Sequence, residues 1–251
     1  MVGVVGRSME TSHLTLDRST SGGDVAGGSG HSTARPSVIT AITPVPRHPG
    51  RFELLVEGRR YATLSLDAIE RLGLVVGATV AGREERIAQE AAQLKVYDRA
   101  LNMLAFRARS SAELARLLVR KGEPKELVDR AVVRLLEQGL LDDAAFARSF
   151  ARAKVLGAQQ SKRRVQQELA RRGVARPVSD AAIATVFEEE GVDQRAVVEQ
   201  AARKKLRSLT KVDPAVRRRR LYAFLARRGY DGEDIRHAME AVGEELTEGE
   251  P

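Results

Sequence analysis

The residues of this chain whose spacing points to chemistry are arginines. Arg163 and Arg171 stand eight residues apart, as do Arg219 and Arg227, and each pair brackets two apolar residues four apart: Val165 and Leu169, then Leu221 and Leu225. Wound at about 100° per residue, both pairs fall on the helix face away from the apolar stripe, with Arg164 and Arg220 at the edge of that face. A guanidinium fork suits phosphate and carboxylate equally. The partner expected from these residues is therefore DNA, an acidic protein surface, or a protein–DNA filament presenting both. Arg217 and Arg228 fall nearer the apolar stripe and are expected to cap or snorkel. Of the aromatics among these bases, Phe224 lies on the core stripe and Tyr222 is ambiguous.

No catalytic constellation accompanies the arginines. His13, His31, His48 and His237 are dispersed with no metal-ligand spacing. Asp142-Asp143 reads as a helix cap and a dipole partner rather than a catalytic dyad. The Gly-Ser tract near the N-terminus follows no strand, so it makes no phosphate loop. With no cysteine, disulfides and thiolate sites are excluded. The expectation is a non-enzyme with no metal and no cofactor. No apolar run is long enough to cross a bilayer and no signal-peptide core is present, so no membrane partner is expected and the predicted location is cytoplasmic.

The net charge of +8 is informative once localised. Residues 1–35 carry three bases and three acids, and residues 36–90 carry seven of each. The whole excess lies beyond residue 90, and residues 148–230 hold 21 bases against 8 acids. A local excess of this size attracts polyanions. Sequence-specific base reading is not indicated, because no short turn leads into a helix that begins with Asn or Gln.

The elements that must carry these arginines follow from a repeated phrase. Leu114 to Leu118-Val119-Arg120-Lys121-Gly122, Val165 to Leu169-Ala170-Arg171-Arg172-Gly173 and Leu221 to Leu225-Ala226-Arg227-Arg228-Gly229 each read as the end of a helix: two apolar residues on one face, bases in the last turn, and glycine beyond it. The first copy has Ala112, Glu113 and Arg120 where the other two place their outward bases. Ser110 with Glu113 forms a capping box, and Asp142, Asp213 before Pro214, and Asp231 mark further helix starts. Aromatics make up only 4% of the chain, so small helix-forming residues must do the packing, which favours helix on helix.

The expected fold is mainly α, an elongated curved array of three three-helix repeats at residues 94–141, 142–191 and 192–242. Residues 37–93 should form a small α+β module, with three antiparallel strands around the Glu57-Gly58-Arg59 turn and a short helix capped by Asp67. A disordered leader at 1–36 and an acidic tail at 243–251 flank these units.

Specific stretches now resemble a family. Ala100-Leu101-Asn102-Met103-Leu104-Ala105-Phe106-Arg107-Ala108-Arg109-Ser110 with Glu113-Leu114 and Leu117-Leu118, followed by Leu135-Leu136-Glu137-Gln138-Gly139-Leu140-Leu141-Asp142-Asp143 with Phe146-Ala147, resembles the start of the RecX regulatory family. Glu168 to Val174, and Arg218 to Leu221 with Phe224 to Tyr230, look like its second and third repeats, so the match runs from about residue 97 to 240. The resemblance implies a monomer that lodges in the groove of the RecA filament on single-stranded DNA and limits its ATPase, strand exchange and coprotease activity, with direct DNA contact as a further expectation. Arg163, Arg164, Arg171, Arg219, Arg220 and Arg227 are the residues assigned to that contact. Gln160-Ser161-Lys162 departs from the Gly-Pro that many members carry there, leaving the geometry of that helix start open. The alternative reading is a general basic DNA-binding or architectural protein acting without RecA, and a third is a helical scaffold with no polyanion partner.

Overall fold

The computed structural model describes residues 37–243, so the expected leader, and the tail from residue 244 onward, lie outside the described residues. Strands β1 (Ile39–Pro44), β2 (Arg51–Val56) and β3 (Arg59–Ser65) form an antiparallel sheet in sequence order. The β2–β3 connection is two residues, Glu57 and Gly58, both with positive φ (51° and 75°). Left-handed backbone at both positions matches the twist of the flanking strands. Helix α1 (Leu66–Arg71) follows at once. Its cap is Ser65, whose hydroxyl accepts from the Ala68 N–H, so the expected cap at Asp67 is corrected by two residues. Asp67 sits in the first turn instead and meets Arg134 at 3.5 Å.

Helix α2 (Glu84–Phe106) crosses the boundary expected at residue 93. Nothing between Glu84 and Phe106 can stop a helix, as the stretch has neither Pro nor Gly. At 23 residues it is about 35 Å long, enough to serve two cores. Ile87 near its start is buried with Ile39, Leu54 and Leu64 of the sheet module, while Val96, Tyr97 and Ala100 belong to the core of the first repeat. The β module thus leans on the array through a shared helix, and Arg51 on β2 ties it further to Asp98 of α2 at 2.5 Å.

The remaining helices fall into three sets. The second half of α2 packs with α3 (Ser111–Arg120) and α4 (Lys125–Glu137). Next come α5 (Asp143–Arg152), continued by a π-helical turn Ala153–Gly157, then α6 (Lys162–Arg171) and α7 (Arg176–Glu189). The last set is α8 (Gln194–Leu206), α9 (Pro214–Arg227) and α10 (Gly232–Ala241). Each set has its own apolar core, and the paired residues of the repeated phrase lie at its centre: Leu114 and Leu118, Val165 and Leu169, Leu221 and Leu225 are all fully buried. Caps stand where the residue types place them. Asp142 accepts from the N–H groups of Ala144 and Ala145, Asp213 from Ala215 and Val216, and Asp231 from Glu233 and Asp234. Ser161 caps α6 by accepting from the Arg164 N–H, which settles the helix start that Gln160-Ser161-Lys162 left open.

Candidate polyanion-binding face

The arginine face is built on α6 and α9. Burial of Val165 and Leu169 fixes the rotation of α6, as Leu221 and Leu225 fix that of α9. Arg163 and Arg171 consequently stand exposed on α6, and Arg219, Arg220 and Arg227 on α9. None of the five has an ion-pair partner among the described residues. By contrast, many other arginines of the protein are paired, such as Arg152 with Glu189 and Glu190 and Arg203 with Glu199. A guanidinium left in water keeps its charge at full strength for a partner.

Arg164 is different. It is half-buried and bonds Glu168 through Nε at 3.0 Å. Burial works to raise the Glu168 carboxyl, but the charge of Lys154 and hydrogen bonds from Arg164, Gln160 and Lys154 outweigh it and hold the group below the ordinary carboxylate value. The sequence places Arg164 at the edge of the outward face, whereas packing draws it into the joint with the third repeat. Arg217 and Arg228 behave as their phase indicates. Arg217 is 3% exposed and donates to the carbonyls of Thr210 and Val212, and the half-buried Arg228 lies over the Phe224 ring at 4.4 Å.

The joints between repeats were hidden from sequence reasoning, and they give Ala112 and Glu113 of the first copy a structural task. The C-terminal turn of α6 docks on the N-terminal turn of α3, and that of α9 docks on α6. The Ser110 hydroxyl donates to the Arg172 carbonyl at 2.6 Å while accepting from the Glu113 N–H at 3.1 Å. At the next joint the Ser161 N–H donates to the Arg228 carbonyl at 3.1 Å. Unsatisfied carbonyls at one helix end thus meet donors at the start of another, head to tail along the dipoles. A Cβ on Gly173 would collide with the Ala112 Cβ, and one on Gly229 would stand 2.5 Å from the Arg164 Cβ and 2.7 Å from the Ser161 hydroxyl. Gly122, which has no preceding repeat, has open space around it. Ala112 and Glu113 are therefore joint residues, not vacant binding positions. The signal that could have revealed this is the spacing of a cap serine twelve residues before each of the first two glycines, Ser110 to Gly122 and Ser161 to Gly173.

The first joint also carries an ionic cluster. The Glu113 carboxylate receives Arg109 at 3.1 Å and Arg172 at 2.9 Å, with Arg107 as a third partner. Burial pushes this carboxyl up, yet the hydrogen bonds and charges of Arg107 and Arg172 win and leave it below its ordinary value of 4.5. A carboxyl depressed on folding contributes stability that is present above the unfolded value and is lost as pH falls through the folded one. Wild type is accordingly expected to lose more stability than Glu113→Gln between pH 5 and pH 3. Urea midpoints across that range check this, and parallel slopes would refute it.

The adjacent acids Asp142 and Asp143 both have structural tasks. Asp142 caps α5, and Asp143 accepts from the Ser111 N–H at 2.8 Å and its hydroxyl at 2.6 Å, tying α5 to α3. Among the described residues no group of His, Asp and Glu is arranged to hold a metal, and no helix is long and apolar enough to cross a membrane.

The described residues make a helical-repeat protein, an α array preceded by a small sheet, whose second and third repeats present unpaired guanidinium groups. Comparison with known proteins places it further. Residues 97–135, 142–183 and 193–239 match the first, second and third three-helix domains of RecX in turn. The regulatory protein RecX of Chlorobaculum tepidum is 36% identical over 149 residues, covering 59% of this chain and 89% of the relative. That of Mycobacterium ulcerans is 41% identical over 135 residues, covering 52% and 74%. Among solved structures, a crystal structure of regulatory protein RecX superposes with a TM-score of 0.64 at 20% identity, covering 83% of this chain and 99% of that one. RecX from Lactobacillus salivarius gives 0.50 at 16% identity, covering 61% and 97%. The chain belongs to the RecX family of regulatory proteins.

Proposed function

We propose that this protein is a modulator of the RecA recombinase that binds the RecA filament on single-stranded DNA in the cytoplasm, as a monomer, and restrains its ATPase, strand exchange and coprotease activities. The carrying observation is the matched pairs Arg163 and Arg171 on α6 and Arg219 and Arg227 on α9, exposed at equivalent helical phases and without ion-pair partners among the described residues. Two repeats offering the same charged face suit a periodic polyanionic target better than a single small ligand. Family membership supports RecA as the target, and the excess of bases over residues 148–230 supports contact with its nucleic acid.

Changing Arg163, Arg171, Arg219 and Arg227 together to Ala is expected to leave the unfolding midpoint within about 0.5 kcal/mol of wild type, as surface changes do, and to weaken inhibition of RecA ATPase on single-stranded DNA at least tenfold. Undiminished inhibition would refute the face. The same basicity favours a second reading, a general DNA-binding protein that acts without RecA. Capture on bare against RecA-coated DNA separates them: preference for the coated strand supports the filament reading, and equal capture with a steep salt slope supports the alternative.

A further inference from the structure

The groove between α9 and α10 shares Arg219 with the arginine face and adds residues that the face does not use. Its volume is about 770 Å³. Arg218, Arg219 and Tyr222 line it from α9, Arg236 lines it from α10, and Ile235 and Met239 contribute apolar surface. The three arginines are exposed and have no ion-pair partner among the described residues, while the carboxylate at the groove is that of Glu240. Tyr222 is 51% exposed, and its hydroxyl has no hydrogen-bond partner among the described residues. The two buried tyrosines show the contrast: Tyr97 bonds Gln138, and Tyr230 donates to the Gln159 carbonyl at 3.0 Å. A second groove, against the sheet, also holds an exposed tyrosine, Tyr61, but its arginines are already engaged, Arg51 by Asp98, Arg60 by Glu53 and Arg99 by Glu123.

An aromatic ring open to solvent, set one turn beyond two free guanidinium groups and facing a third across a groove, is the combination that holds a single strand: bases stack on the ring and phosphates pair with the arginines. In a duplex the base faces are stacked on one another and out of reach of such a ring. We propose that the α9–α10 groove binds single-stranded nucleic acid, with Tyr222 stacking on an unpaired base and Arg218, Arg219 and Arg236 holding the flanking phosphates. This deepens the reading of α9 as a polyanion contact and rests on it through Arg219. It adds a preference for single strands that the arginines alone do not confer.

The test uses the full chain without RecA, a labelled oligothymidylate, and a duplex of equal length. Tyr222→Leu is expected to lower affinity for the single strand about tenfold and for the duplex less than twofold, whereas Tyr222→Phe, which keeps the ring, retains wild-type binding. The chain has four tyrosines and no tryptophan, so its intrinsic emission reports tyrosine, and the oligomer should quench wild type but not Tyr222→Leu. Equal affinity of Tyr222→Leu and wild type, equal loss on both forms of DNA, no binding of the bare oligomer, or displacement of the oligomer by a polyglutamate peptide with Tyr222 dispensable would each overturn the proposal. RecA ATPase with the wild-type chain reports separately on the filament reading, and with the fourfold arginine variant on the arginine face. Oligomer binding through Tyr222 by a wild-type chain that leaves RecA ATPase unchanged would overturn the filament reading and leave this one standing, whereas unchanged inhibition by the fourfold variant refutes only the arginine face.

Discussion

Gly229→Ala is expected to destabilise the protein by about 2–4 kcal/mol, several times the cost of Gly122→Ala, although the two glycines end the same phrase. Their backbones are alike, with φ of 88° and 87°. The left-handed backbone costs an alanine about 1 kcal/mol at either place. The difference is what stands in front of the new methyl. At Gly122 there is nothing within 4 Å, whereas at Gly229 it meets the Arg164 Cβ and the Ser161 hydroxyl, with the Arg164 Cα only 3.2 Å away. Backbone cannot rotate aside as a long side chain can, so α9 must withdraw from α6 and add the cost of overpacking. Withdrawal also strains the bond from the Ser161 N–H to the Arg228 carbonyl and that from Tyr230 to the Gln159 carbonyl, whose burial holds the Tyr230 phenol well above its ordinary pKa. Urea unfolding and amide exchange are the checks: Gly229→Ala should open the third repeat ahead of the second, and Gly173→Ala should loosen the first joint in the same way. Equal midpoints for the Gly122 and Gly229 variants would refute the joint.

Arg217→Ala carries the second large effect, about 2–4 kcal/mol. Arg217 is twelve residues before Gly229, the position that Ser110 and Ser161 hold relative to Gly122 and Gly173. In the first two repeats that position caps a helix and receives the next repeat. In the third the helix begins a turn earlier, at Pro214, and the arginine turns inward, 3% exposed, to donate to the Thr210 and Val212 carbonyls. Truncation removes charge-assisted bonds from two carbonyls and leaves a void beside the third core. Arg217→Met, which refills the space without the donors, should recover about half of the loss. Thermal and urea unfolding of the two variants measure it, and a neutral Arg217→Ala would show that the turn before α9 holds without it.

These two effects mark the limit of what the chain discloses in one dimension. Helix rotation was legible because leucines four apart must be buried together, and that alone places Arg163, Arg171, Arg219, Arg220 and Arg227 in solvent. Helix starts were legible from Ser110, Asp142, Asp213 and Asp231, whose side chains satisfy N–H groups two or three residues on. The cap at Ser65 was missed because Asp67 is an equally good cap by type, and only the backbone at residue 65 decides between them. The unit boundary expected at residue 93 falls inside α2, because the change of texture there reflects a change of packing partner while the helix itself runs on without a break.

The sequence by itself determined the repeat, its family, the helical class and the side of each helix that carries charge, since all of these depend on neighbours within about four residues or on their periodic recurrence. Only the tertiary structure decided which members of the repeated phrase meet one another. Gly173 against Ala112, Gly229 against Arg164, and Glu113 against Arg172 are contacts between residues 59 to 65 apart in the chain, fixed by how three separate cores stack, and no local spacing encodes them. That stacking turns Arg164 from a surface base into part of a joint and brings Arg236 of α10 across from Tyr222 of α9 in the groove proposed to hold a single strand.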